Sequence, residues 1–223
     1  KLIDRGHKVA VCDQLEDPAK AKGLVKRDVI RVITPGTLTE DELLNFERPN
    51  YLCALWLDGQ KGGAAFCDVS TGEFCAADFE AFAEEHMLNE LGRFSPSEVV
   101  LSAGAADNRR ITSFLSTKLK CMTQPDGGRF ELDSDEERLL HHFDAGSLEE
   151  LGLAGCSGAV RSAGALLGYI GDTQKCDMKH ISRLDLFEGG RYMEMDYATR
   201  RSLELTETMR RQAEGFGAEF LLA

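Results

Sequence analysis

The sequence predicts an α/β domain: one mixed β-sheet with flanking helices. Three observations predict it. Tyr51 to Leu57 (YLCALWL) and Ala64 to Val69 (AAFCDV) are apolar on both faces, as central strands are. Ser70-Thr71-Gly72 then makes a short turn into Glu73 to Phe79, with Gly at the position where a hairpin loop needs φ > 0. Ala159 to Ile170 carries Val160, Ala163, Leu167 and Ile170 on one helical stripe. A meander of strands followed by helix, strand and helix is a mixed α/β layer.

The elements follow in order. Val9 to Cys12 (VAVC) reads as a buried strand, and Asp17-Pro18 breaks the chain after it. A basic stretch with Lys20, Lys22, Lys26, Arg27 and Arg31 surrounds the apolar pairs Val29-Ile30 and Val32-Ile33. Thr34-Pro35-Gly36-Thr37 is a strong turn signal, and Leu38 to Asn50 reads as an acidic linker or short helix. Asp58 to Gly63 would form a loose hairpin between the two apolar runs. Phe79, Phe82, Ala83, Met87 and Leu91 give a helical spacing, so a helix is expected over Phe79 to Leu91. Ser97 to Leu101 (SEVVL) reads as a fourth strand and Asn108 to Leu119 as an amphipathic helix. Gly164 and Gly168 lie four apart in the helix at 159–170. Each costs ~1 kcal/mol relative to Ala in a helix interior, so close packing is expected there. Ile181 to Leu186 and Arg191 to Met195 read as short extended pieces, and Asp196 as the N-cap of a helix over Tyr197 to Arg210.

Composition limits the function classes. The formal net charge of −12 is unevenly spread. Residues 1–38 hold eight Lys/Arg against five Asp/Glu, residues 39–185 hold 13 against 26, and residues 186–223 hold five against seven. Phosphate binding draws on Lys and Arg, so the long acidic middle is a poor nucleic-acid surface and only the N-terminal stretch has a suitable balance. A run of charge is otherwise most simply a solvated face. No stretch approaches the ~20 apolar residues of a membrane-spanning helix, so no membrane partner is expected. The opening Lys1-Leu2-Ile3-Asp4-Arg5 has no signal-peptide layout and no initiator Met, and it reads as a chain cut from something longer. The seven cysteines are odd in number and none are in CxxC spacing. Cys12, Cys53, Cys67 and Cys75 sit in apolar runs, where a reduced thiol acts as a small hydrophobe. Buried thiols in a reducing cytoplasm are therefore expected, with no zinc site, and adjacent His141-His142 is read as a solvated pair.

Two stretches carry a family resemblance. One runs Gly6-His7-Lys8-Val9-Ala10-Val11-Cys12-Asp13-Gln14-Leu15-Glu16-Asp17-Pro18 and on to Arg31-Val32-Ile33-Thr34-Pro35-Gly36-Thr37. It resembles the end of the mismatch-recognition domain of the bacterial MutS family of DNA mismatch-repair proteins. The other, Met195 to Leu205 (MDYATRRSLEL), is similar to the start of that family's core or lever domain. Between them, Asp68-Val69-Ser70-Thr71-Gly72-Glu73-Phe74 and Asp172-Thr173-Gln174 resemble the hairpin and last long helix of its connector domain. Ser202 stands where the family usually has Asn, and residues 211–223 depart from its pattern.

The resemblance implies a division into 1–38 (end of the mixed α/β recognition domain), 39–185 (an RNase H-like connector) and 186–223 (start of the α-helical core). It implies mismatched duplex DNA and a MutL-type protein as partners of the longer protein, a homodimeric parent, and ATP with Mg in an ATPase part beyond this stretch. The family's wedge motif, Phe-x-Glu, has no counterpart here, since no Phe precedes Phe46. The GxxxxGK[ST] phosphate loop has none either, since the chain contains no Gly-Lys pair. No cofactor, metal, nucleotide or catalytic residue is thus expected within the stretch, and it is expected not to be an enzyme. Lys22 and Arg27 are the candidates for contact with DNA phosphate, while Arg200 and Arg201 serve a helix or domain contact equally well. One rival reading follows from the fold, because RNase H-like domains host metal-dependent nucleases. Asp58 and Asp68 lie on or beside the first strands, but Asp68 opens a turn, where an Asp side chain commonly bonds local backbone.

Overall fold

The computed structural model describes residues 2–3, 7–14, 27–38, 49–175 and 178–187. Its body is a six-stranded mixed sheet. β3 (Tyr51–Asp58), β4 (Lys61–Asp68) and β5 (Glu73–Phe79) form the antiparallel meander. β6 (Glu98–Leu101) adds in parallel to β3, β7 (Met122–Pro125) in parallel to β6, and β8 (Asp185–Leu186) in parallel to β5.

The two apolar runs become central strands because both of their faces are covered. On one face Leu52, Ala54, Ala65, Phe74 and Val100 pack under α4 (Leu132–Phe143) and α5 (Ser157–Gln174). On the other, Cys53, Leu55, Phe66, Val99 and Leu101 meet Met87 and Leu91 of α1 (Ala83–Phe94) and Ala105 of α2 (Ala103–Asp107). Ile111 of α3 (Arg109–Ser113) and Leu115 of the π-helical segment Phe114–Leu119 complete that layer. Helices on both faces of a sheet leave no apolar side open, which is why strict alternation is missing from β3 and β4.

Several expectations are corrected by local detail. The hairpin after β3 is tight: Asp58 pairs with Lys61 across the two-residue turn Gly59-Gln60, with Gly59 at φ 58°. Phe79 belongs to β5, and α1 starts only at Ala83, since Phe82 takes a left-handed conformation (φ 51°) and is exposed. The helix expected from Asn108 begins at Arg109, with the Asn108 side chain accepting from the backbone N–H groups of Arg110 and Ile111, and passes into the π segment. α2, β7 and α4 go beyond the sequence expectations: each is short or polar-rich and takes its apolar partners from elsewhere in the chain. The extended piece expected at 181–186 is reduced to β8, and the extended piece at 191–195 and the helix at 197–210 lie outside the described residues.

The N-terminal strand expected to be buried is not. β1 (Val9–Gln14) pairs antiparallel with β2 (Arg27–Ile33), whose strand character the interspersed basic residues mask in the sequence, in a two-stranded ribbon. Its residues are exposed or half-buried, and Cys12 is exposed, while Cys53, Cys67 and Cys75 are buried free thiols as expected. Burial pushes the Cys75 thiol up to about 12. His142 also departs from expectation: it is half-buried and its Nε2 lies 2.8 Å from the Ile181 carbonyl oxygen, so that nitrogen carries the proton and donates. Among the described residues, no helix is long and apolar enough to cross a membrane.

Gly164 and Gly168 have the close neighbour that their cost requires. A Cβ on Gly164 would run into the backbone and Cβ of Asp135 on α4, and one on Gly168 would sit 3.1 Å from the Arg138 guanidinium. Helix propensity and packing therefore oppose one another at Gly164. Propensity favours Gly164→Ala by ~1 kcal/mol, whereas overpacking a core contact costs about 1–3 kcal/mol. Because the obstruction at Gly164 is largely backbone, packing wins. Urea unfolding should show Gly164→Ala less stable than wild type, and a stabilised variant would contradict the tight α4–α5 contact.

Candidate functional site

The segment Thr34–Thr37 leaves the ribbon and enters the sheet domain, and the polar groups that receive it form the most elaborate buried network of the described residues. Pro35 fixes a single 3-10 turn. Thr34 donates its backbone N–H to the Thr37 hydroxyl (3.0 Å), Thr37 returns its own N–H to the Thr34 carbonyl (3.1 Å), and the two hydroxyls lie 2.8 Å apart. Both threonines are buried. Gly36 is required here by space: a Cβ would lie 2.7 Å from Leu52 Cδ1 and 2.9 Å from Glu98 Cβ.

Glu98 is the centre of this joint. It heads β6, lies between Leu52 of β3 and Met122 of β7, and is 0% exposed. Its two oxygens are both engaged: Gly36 donates its backbone N–H to Oε2 (3.1 Å) and Tyr169 of α5 donates its hydroxyl to Oε1 (2.5 Å). Burial and the Glu98 carboxylate hold the Tyr169 hydroxyl well above its ordinary range, so it stays protonated and can donate. Two cations flank the Tyr169 ring, Lys8 Nζ of the N-terminal stretch at 5.3 Å from its centre and the Arg129 guanidinium at 5.7 Å.

The surrounding groups close the network. Gln174, at the end of α5, donates to the Thr37 carbonyl (3.3 Å). Asn50 donates its side-chain N–H to the Pro35 carbonyl (2.9 Å) and accepts from the Ser97 hydroxyl (2.6 Å). The Asn50 backbone N–H reaches Asp68 Oδ2 (3.1 Å), while Asp68 Oδ1 accepts from the backbone N–H and hydroxyl of Ser70 (2.9 and 2.6 Å). Lys8 donates to Gln124 of β7 (2.8 Å) and Lys175 to the Val29 carbonyl of β2 (2.9 Å), so the ribbon is held at two further points. Such an arrangement can hold the approach of the N-terminal segment in one geometry; it presents no nucleophile or acid–base pair to a substrate.

The sequence-derived candidates stand apart from this joint. Lys22 lies outside the described residues, as do Lys20, Lys26, Arg200 and Arg201. Arg27 opens β2, exposed, opposite Gln14. The carboxylates of the nuclease reading do not meet. Asp58 pairs with Lys61 at one end of the β3–β4 hairpin, and Asp68 pairs with Tyr51 at the other. At ~3.3 Å per residue that separation is about 23 Å, whereas paired catalytic metals sit about 4 Å apart. Asp68 bonds its own turn, as its position suggested. Among the described residues no group of three His, Cys, Asp or Glu is placed to hold a metal ion. Glu98 and Tyr169 were missed by sequence reasoning. The one available signal was an acidic residue heading the otherwise apolar strand EVVL.

The comparisons with known proteins agree with one another. A family model described as MutS domain II matches residues 50–182, and one described as MutS domain I matches residues 1–42. The DNA mismatch repair protein MutS of Symbiobacterium thermophilum is 42% identical over 211 residues, covering 94% of this chain and 24% of that protein. The protein of the same name from Syntrophomonas wolfei is 36% identical over 212 residues, covering 94% and 25%. The chain thus spans about a quarter of the length of the curated relatives it matches.

Removing one donor to a buried carboxylate leaves it short of a partner, at a cost of roughly 1–3 kcal/mol. Tyr169→Phe keeps the ring and deletes only the hydroxyl. Urea unfolding should therefore show a loss in that range; a change under about 0.5 kcal/mol would mean that the Glu98 joint does not hold the segment.

Proposed function

The chain belongs to the MutS family of DNA mismatch-repair proteins, and we propose that this stretch works in the longer protein as the connector between its DNA clamp and its lever and ATPase parts. The buried joint around Glu98 carries this reading. It fixes a segment within the domain I match to the body of the domain II match, and a part that relays movement needs a rigid attachment. In this reading residues 1–38 end the mismatch-recognition domain, residues 39–185 are the RNase H-like connector, and residues 186–223 begin the core.

DNA meets the chain through its N-terminal stretch, where Lys22 and Arg27 are the proposed phosphate contacts and Arg27 is exposed on β2. Binding through so few cations is weak, salt-sensitive and indifferent to a mismatch, since phosphate contacts carry no sequence information. The acidic connector face suits a MutL-type protein partner. ATP and Mg belong to the ATPase part of a cytoplasmic, homodimeric parent, and the stretch itself is proposed to have no catalytic role. The nuclease alternative requires Asp58 and Asp68 to act together, and they lie at opposite ends of one hairpin.

A cross-linking titration of this chain with the N-terminal part of a MutL-type protein should give weak, saturable association. The same preparation should bind no ATP at micromolar concentration. Saturable ATP binding, or complete absence of the MutL-type contact, would overturn the proposal.

A further inference from the structure

The connector stretch is acidic on average, yet one part of it is not. From Asn108 to Pro125 there is no Asp or Glu across eighteen residues, and four cations, Arg109, Arg110, Lys118 and Lys120, fall within them. All four are exposed. Arg110 is engaged with Glu84. Arg109, Lys118 and Lys120 make no ion pair among the described residues.

Topology sets this cluster beside Lys8 of the N-terminal stretch. α3 and the π segment cover one face of the sheet and run directly into β7, its edge strand. On the opposite face of β7, Gln124 receives Lys8, which also lies over the Tyr169 ring of α5. Lys8 and the end of the π segment therefore border one sheet edge from its two sides. The acidic groups on that edge's far side, Asp126 and Asp172, are both engaged by Arg129 (2.8 and 2.7 Å). Asp107, exposed at the end of α2, is the acidic residue next to the cluster in sequence.

We propose that Arg109, Lys118 and Lys120 form a phosphate-binding strip of the connector that runs toward Lys8 around the β7 edge and takes the backbone of duplex DNA. The inference rests on the reading that the N-terminal stretch meets DNA. A polyphosphate backbone suits the strip better than a compact anion, because the cations are spread along α3 and the π segment, with Lys8 beyond the β7 edge. An acidic peptide is the competing occupant, and the test separates the two.

The experiment is a salt series of duplex binding by the full chain, wild type against Arg109→Gln/Lys118→Gln/Lys120→Gln, with matched melting curves showing both folded. Each phosphate that the variant no longer neutralises lowers the log–log salt slope by about 0.9. The triple variant should show a slope smaller by about two to three and bind at least tenfold more weakly at ~100 mM salt. Lys61→Gln, at the β3–β4 turn and paired with Glu80, should bind as wild type does. A wild-type chain that binds DNA with a slope unchanged in the triple variant overturns this strip and leaves the N-terminal reading standing. A wild-type chain that binds no duplex even at low salt overturns both. Competition by poly-glutamate at the same charge concentration as unlabelled duplex, and with equal potency, would assign the strip to an acidic protein and overturn the DNA proposal.

Discussion

A carboxylate removed from water sets the terms for the rest of this molecule. Glu98 is fully buried at the head of a strand flanked on both sides, and an unsatisfied carboxylate there would cost several kcal/mol. It is tolerated because two donors arrive from distant parts of the chain: the Gly36 amide, 62 residues away, and the Tyr169 hydroxyl, 71 residues away. Each donor brings its own element with it. Gly36 brings the 3-10 turn that ends the N-terminal stretch, and Tyr169 brings the middle of α5. Three parts of the chain thus meet at one side chain, and a shift of any of them leaves a buried charge short of a partner.

The sheet makes such a point possible. Because α4 and α5 cover one face and α1, α2 and α3 the other, the strands between them are dry, and polar groups inside act at low effective dielectric. The α4–α5 contact shows the same economy of space: Gly164 lets Asp135 approach, and burial pushes the Asp135 carboxyl up to about 7 despite its bond to Arg138 (2.6 Å). Polar groups here are placed at contacts between elements, where they select one arrangement over others. That is a property suited to the connector role proposed above.

Much of the fold was legible, for identifiable reasons. β3, β4 and β5 announce themselves through continuous apolar runs and Gly-containing turns, and α5 through its stripe. The small residues at 164 and 168 correctly signalled a close neighbour without saying which. What was illegible depends on partners far along the chain. β7 (MTQP) has no apolar pattern and exists because β6 offers it an edge. Phe79 and Phe82 imitate a helical period, but Phe79 is claimed by the β5 pairing with Gly62. β1 has a core-like sequence and yet lies half-open in its ribbon. The joint was invisible because a lone Glu in a strand does not disclose its partners. Regional charge counts hid the 108–125 cluster inside an acidic average.

Glu98 locks the end of the N-terminal stretch onto the sheet domain, and native-state hydrogen exchange at the Gly36 amide reads that lock. If the amide is held by the buried carboxylate, it opens only when the sheet does, and its protection should match that of the β3 and β6 amides around Leu52 and Val99. A Gly36 amide that exchanges orders of magnitude faster than those strands, while they remain protected, would show that the segment detaches freely and that the joint does not connect the two parts.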